Sequence, residues 1–493
     1  MYSLRAILKH QKQGGRKMFK KSFKSIVVLS LLFLFTLLLV ACGDNGSDND
    51  DETVINDNGD PTTNDVDGTS IERVPITITW RGGGGGDDDT LRDFLEEFAV
   101  EFEADNPDIK IVLEPLQAAE GDFFARLALS MQSPTTAPNI VAQDTFTLNA
   151  DASAGLILNL TDRLEAWDQW GYYVKDLKEG VRAANGDFYA LPATSDSRGL
   201  WFNRDVLADA GIEGNWQPET WVDILDAAEL IRDNTDAVPL SFNVHRGNGE
   251  AVTMQTFLMF LHGTGEILFD FDEESWVVES QGFYDSLNFI YEVFNVRDLG
   301  PSMSVAMNTN YGSVMFQQML PQGEVGIVLD GFWQGGLFRE GGSVELEDPE
   351  GTLGFAAMPT QHGQAPGTVT LAGGWAWSIA ANSENHDYSW RVLQAMGSME
   401  NQTRRVMLDG NLTVRSDSAL DEAYASRPFI EQATSFLENT HFRPANDDYP
   451  TVSVEIQTIV EAVASGASTP AQAMADFADA IVRLVGEDNV IRR

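Results

Sequence analysis

Two groups of residues in this chain have types and spacings that could do chemistry. The first is the run TITWRGGGGGDDDTLRDF, in which five glycines at 82–86 pass straight into three aspartates at 87–89. The second is a set of aromatic side chains beside charged or polar ones: Trp80 with Arg81, Asp330 with Trp333, and Trp375 close to Trp377. A glycine-rich loop between a strand and a helix suits a phosphate, because the first amides and the dipole of the helix attract anions. Here no lysine follows, and three carboxylates stand where the phosphate would sit. Those carboxylates suit the orphan amides of the helix itself, with Asp88 or Asp89 as N-cap. Consecutive aspartates also lack the alternate spacing of a calcium loop. The run is then read as the approach to a helix cap and not as a nucleotide loop.

Flat aromatic faces suit the apolar faces of sugar rings, while aspartate and arginine suit hydroxyls. Core packing is the competing role for any tryptophan, and it is strongest for Trp377, Trp201 and Trp221. Trp333 and Trp375 stand in glycine-rich turns, which favours a ligand. Nothing in the chain asks for catalysis. There is no Walker-type loop, no His-Glu-x-x-His, no Gly-x-Ser-x-Gly and no cysteine pair. None of the six histidines, at 10, 245, 262, 362, 386 and 441, has metal-ligand spacing to another. Carboxylates are so abundant that a glycosidase-like pair cannot be singled out. The expectation is a protein that is not an enzyme and carries no cofactor or metal.

The elements that position these residues follow from composition and periodicity. At 493 residues the chain is too long for one ordinary core, so two lobes are expected. The net charge is −43, read as a solvated acidic surface that disfavours nucleic acid. Residues 1–41 carry eight of the Lys/Arg residues and no acid. Within them a basic stretch at Lys20, Lys21 and Lys24 precedes an apolar run at 26–41, the order of a secretory signal. The only cysteine, Cys42, follows Leu39-Val40-Ala41 directly. That arrangement resembles the bacterial lipoprotein signal, which implies cleavage before Cys42 and its acylation. Met18 is an alternative start to Met1. Residues 42–73, rich in Asp and Asn, read as a disordered acidic tether.

From Val74 the texture alternates between strand and helix. VPITITW alternates like a strand, Leu91, Phe94, Leu95, Phe98 and Phe102 recur at helical spacing, and IKIVL starts a second strand. NIVAQD places Asp144 at a strand end, and GEVGIVLDGFW places Asp330 at another. Helical patterns cover Trp221–Asn234, 251–262, 280–293, 452–464 and Pro470–Val485. This alternation predicts an α/β fold.

Taken in order, these segments resemble the extracellular solute-binding proteins of ABC importers, of the carbohydrate-binding, maltose-binding-protein-like family. The resemblance runs from ITITW through PNIVAQDTFTLNADASAGLILNLTD, GDFYALPATSDSRGLWFNRDVL, GEVGIVLDGFWQGGLF and LAGGWAWSIAANSENHDYSW to HFRPANDDYPTVSVEIQTIV. It implies a two-lobed periplasmic-binding-protein-like fold with a hinge and an interlobe cleft. Three crossovers are expected near 191–195, 354–360 and 410–415. Lobe one is then 74–192 plus 356–411, and lobe two 193–355 plus 412–493. The implied ligand residues are Trp80, Arg81, Asp144, Asp196 (or its neighbour Ser195), Asp330, Trp333, Gly374, Trp375 and Arg443. Family sugar binders often follow the Asp144 carboxylate with a basic residue, where this chain has Thr145. The implied function is capture of a sugar or oligosaccharide and its delivery to an ABC transporter permease. The protein would be a monomer on the extracellular face of the cytoplasmic membrane, anchored through Cys42. Binding of a glycerol-phosphate-type or peptide solute, a sensor subunit and a secreted polysaccharide hydrolase are the alternatives.

Overall fold

The computed structural model describes residues 72–82, 88–118 and 120–493, with two short paired strands, Asp65–Val66 and Thr69–Ser70. The expected signal, Cys42, most of the tether and glycines 83–86 with Asp87 lie outside the described residues. The helix that follows the glycine run spans Asp88–Asp105. It buries Phe94, Leu95, Phe98 and Phe102, the stripe legible in its sequence.

Two sheets organise the body. The first has five strands in the order Ile109–Leu113, Val74–Thr79, Ile140–Asp144, Trp375–Ile379, Leu191–Pro192. Its first three strands are parallel, as strand–helix–strand connections require, and Trp375–Ile379 runs antiparallel to both neighbours. The second has six strands in the order Val238–Ser241, Val325–Gly331, Arg198–Asn203, Leu353–Pro359, Thr368–Leu371, Thr440–His441. Each sheet has its own apolar core. Ile76, Ile140 and Trp377 lie in the first, and Leu200, Ile327 and Met358 in the second. A third cluster around Trp201, Phe332 and Phe355 lies on the other face of the second sheet.

The chain passes between the sheets at three places. Residues 193–197 lead from Leu191–Pro192 to Arg198–Asn203, and 372–374 lead from Thr368–Leu371 to Trp375–Ile379. The third passage, at 411–414, lies against the first. Ser195 and Leu412 exchange backbone bonds of 2.9 and 2.8 Å, and the Ala193 and Thr194 amides both donate to the Trp375 carbonyl. The second crossing is a correction. The expected position, 354–360, falls almost wholly on Leu353–Pro359, a strand that stays in the second sheet, paired with Arg198–Asn203 over Leu353–Ala357 and with Thr368–Leu371 at Met358 and Pro359. It is buried at every residue, so its sequence carries no alternation to say which sheet it joins. The crossing comes after the next strand, where Ala372, Gly373 and Gly374 allow close backbone approach. Gly374 has φ +127°, and a Cβ there would lie 2.0 Å from the Thr194 carbonyl oxygen.

Candidate functional site

Strand register brings the charged and aromatic residues together. On the first sheet Asp144 pairs opposite Trp375, so a carboxylate and an indole leave the sheet at the same level. On the second, Gly331 pairs opposite Arg198 and Asp330 opposite Gly199. Both sets stand next to the crossing segments.

Trp375 is half-buried. Phe124, from the Glu120–Met131 helix, stacks with it at 6.1 Å and 17°, and the Arg81 guanidinium lies 5.8 Å from its ring centre. Phe146 meets Phe124 edge-on at 4.9 Å and Tyr449 at 6.4 Å. Arg443 reaches to the first sheet, with Nη2 at 2.5 Å from Asp144 Oδ1 and 2.6 Å from Thr145 Oγ1. Burial alone would lower the Arg443 pKa, but the Asp144 and Glu250 carboxylates outweigh it and hold the guanidinium charged. The cation absent at Thr145 is therefore supplied from the opposite end of the sequence.

In the first crossing Asp196 is buried, bonded to Arg198 at the start of a strand of the second sheet, and accepts the Gly373 amide at 2.8 Å. Arg198 also donates to the Leu371 carbonyl at 2.9 Å. Its guanidinium lies 5.0 Å from the Trp333 ring centre. Trp333 folds back over bare Gly331, where a Cβ would lie 1.7 Å from the indole. Asp330 is buried and accepts the Gly331 amide and, at 3.3 Å, the Asn243 side chain. Burial pushes the Asp330 carboxyl up to about 6, while Gly331, Arg198, Asn243 and Gln334 pull it back.

Among the expected residues, Arg81, Asp144, Trp375 and Arg443 thus form one contact chain, and Asp196 and Trp333 join through Arg198. Gly373 connects the two groups, since a Cβ there would lie 3.2 Å from Arg443 Nη2. Asp330 adjoins the second group through Gly331. Gly374 shapes the crossing. Trp80 is a correction: it is 1% exposed and belongs to the first core, so its ring packs against protein. Its neighbour Arg81 points differently because successive side chains at a strand end alternate in direction.

Phe124, Phe146, Asn243, Glu250 and Tyr449 escaped the sequence reading. Phe146 and Asn243 each lie two residues beyond a strand end, the signal that singled out Asp144 and could have found them. Phe124, Glu250 and Tyr449 lie on helices, where only tertiary packing brings them near. Among the described residues no group of three or more His, Cys, Asp or Glu could hold a metal, and no helix is long and apolar enough to cross a membrane.

Two α/β lobes with three hydrogen-bonded crossings define the class of two-domain periplasmic solute-binding proteins. The profile of the bacterial extracellular solute-binding protein family matches residues 88–403, and the chain belongs to that family. It is 23% identical over 401 residues to a maltooligosaccharide ABC transporter solute-binding lipoprotein of Streptococcus pneumoniae, covering 78% of this chain and 79% of that one. Among solved structures it resembles an ABC transporter solute binding protein from Thermotoga lettingae bound with alpha-D-tagatose. That match has TM-score 0.71 and 21% identity, over 84% of this chain and 100% of the other. Maltose-bound MalE3 of T. maritima matches with TM-score 0.70 and 20% identity, over the same shares. At these identities the structural likeness is one of fold.

Proposed function

We propose that the protein captures a neutral carbohydrate between its lobes and passes it to an ABC transporter permease. The carrying observation is the pairing of half-buried indoles with charged groups at the crossings: Trp375 beside Asp144, Arg81 and Arg443, and Trp333 beside Arg198 and Asp196. Indole faces suit the apolar faces of pyranose rings, and paired acid and guanidinium groups suit neighbouring hydroxyls. The S. pneumoniae relative is named for maltooligosaccharides, and the T. lettingae and T. maritima structures hold tagatose and maltose. These names support a sugar as ligand. The site is read as binding, with no catalytic role for Asp144 or Asp330. Lobe one is proposed as 74–192 plus 375–411 and lobe two as 193–374 plus 412–493, hinged on the three crossings. Anchoring through Cys42, exposure at the outer face of the membrane and a monomeric state complete the proposal.

Titration calorimetry tests it with maltose, maltotriose, tagatose and ribitol, alongside glycerol 3-phosphate and a mixed peptide pool. Binding of at least one neutral carbohydrate is expected, weakened roughly thirtyfold by Trp375→Ala, the loss typical of a tryptophan anchor. Binding of the phosphate or the peptides alone would overturn the sugar assignment.

A further inference from the structure

Glu250 is a buried carboxylate to which neither the strand ends nor the expected ligand set gives a role. It opens a helical segment, Glu250–Val252, that runs on into a π-turn at Thr253–Phe257. The Tyr449 hydroxyl donates to one of its oxygens, and the Ser453 hydroxyl donates to the other at 2.6 Å. Tyr449 and Ser453 stand on the Tyr449–Ala464 helix. Ser453 is itself fixed by Thr253 at 2.7 Å and Gln457 at 3.0 Å. The carboxylate is therefore oriented by two hydroxyls of one neighbouring helix, itself tied to the turn that follows Glu250, before it meets any cation.

The cation it meets is Arg443. Glu250 Oε1 lies 3.7 Å from Arg443 Nη1, while Nη2 of the same guanidinium reaches Asp144 and Thr145 on the first sheet. The Phe146 ring flanks the guanidinium, 5.1 Å from its centre. One arginine thus stands between two carboxylates, one from each lobe. The lobe-two carboxylate is the more firmly held, with hydroxyl donors on both oxygens. A planar guanidinium fixed on one edge presents its other edge in a defined direction.

We propose that Glu250 is a positioning residue: with Tyr449 and Ser453 it holds Arg443 so that Arg443 and Asp144 read the ligand as one unit. The reading rests on the proposed capture of a neutral, hydroxyl-rich solute. It makes recognition at a lobe-one carboxylate depend on a lobe-two scaffold that does not touch the ligand.

The test is a double-substitution cycle with maltotriose as probe. Glu250→Gln keeps the shape and can still accept from one of the two hydroxyls, the other turning to accept from the new amide N–H, yet removes the charge facing Arg443. A loss of affinity of about tenfold is expected. In an Arg443→Gln background the same change should cost nothing further, because the group it positions is gone. An equal loss in both backgrounds, or none in either, overturns the proposal. Should Glu250→Gln fail to fold, Tyr449→Phe removes one hydroxyl from the same carboxylate and enters the same cycle. A ligand-free readout separates this inference from the sugar assignment. The Nε–Hε NMR signal of Arg443, assigned by its disappearance in Arg443→Gln, should move in Glu250→Gln and stay put in a distant control such as Val100→Ala. An unmoved signal overturns the proposal whether or not maltotriose binds. A moved signal without maltotriose binding upholds the positioning role and rejects only the choice of sugar.

Discussion

Arg198 lays its guanidinium 5.0 Å from the centre of the Trp333 ring while bonded to Asp196 and to the Leu371 carbonyl. The arginine is anchored at two points, so it holds the indole from a fixed position. A cation against a tryptophan face contributes about 0.5–2 kcal/mol, depending on how dry the pair is.

Trp333→Phe should therefore keep much of the binding, and Trp333→Ala should weaken it about tenfold or more. Titration with whichever carbohydrate binds the native protein measures both. Equal affinities for the native protein and Trp333→Ala would remove Trp333 from the site.

Gly374→Ala should destabilise the fold by roughly 2–4 kcal/mol, because φ +127° excludes the side chain and the Thr194 carbonyl oxygen stands 2.0 Å from its Cβ. Gly373→Ala meets the flexible end of Met254 at 2.9 Å and should cost about 1 kcal/mol. Urea unfolding of the two variants gives the comparison. Similar midpoints would argue against a rigid crossing at 374.

Asp330 titrates at about 6 in the native state because burial disfavours its charge. An unfolded aspartate titrates at about 3.9. The native protein therefore keeps a proton that the unfolded chain releases, and stability should fall as pH rises between about 4 and 6, then level off. The full drop is up to about 3 kcal/mol. Asp330→Asn should flatten the slope, measured by urea unfolding across that window. Burial also pushes Asp151 up to about 6, which leaves part of the slope in place.

His262 works in the opposite sense. Burial first, and then the ring of His441 stacked at 4.2 Å, lower its pKa to about 3. Its stabilising effect is complete above about pH 6.5 and is lost as pH falls, by about 1.4 kcal/mol per unit, until about pH 3. His262→Phe can keep the stacked ring and should lessen the destabilisation in acid. Between about pH 4 and 6 the two groups oppose each other, so Asp330→Asn removes a fall in stability with rising pH while His262→Phe removes a rise. An identical acid profile for His262→Phe would show that the imidazole does not titrate against folding.

Much of this architecture is legible in the sequence. The helices at Trp221–Asn234 and Pro470–Val485 match their periodic patterns end to end, each with a capping threonine just ahead. Asp144 and Asp330 were found because apolar runs end on them. What periodicity could not reveal is partnership between distant segments. Leu353–Pro359 is apolar on both faces and would suit either sheet, so the second crossing was placed one strand too early. Trp80 and Trp375 both adjoin strand ends beside glycines, yet packing buries the first and leaves the second half-exposed. Glu250 lies 193 residues from Arg443 in a helical stretch, with no local pattern to mark it.

The place of Trp375–Ile379 in the first sheet has a consequence for biosynthesis. That strand lies between Ile140–Asp144 and Leu191–Pro192, which precede it by well over a hundred residues. A chain emerging from the ribosome or a translocon makes residues 74–192 early and then must wait for residues 193–374 before this gap can close. Until then two strand edges stand unpaired, the condition in which chains mispair or aggregate. Lobe one therefore cannot mature as an independent N-terminal unit, and truncation before residue 375 should yield a species dependent on chaperones.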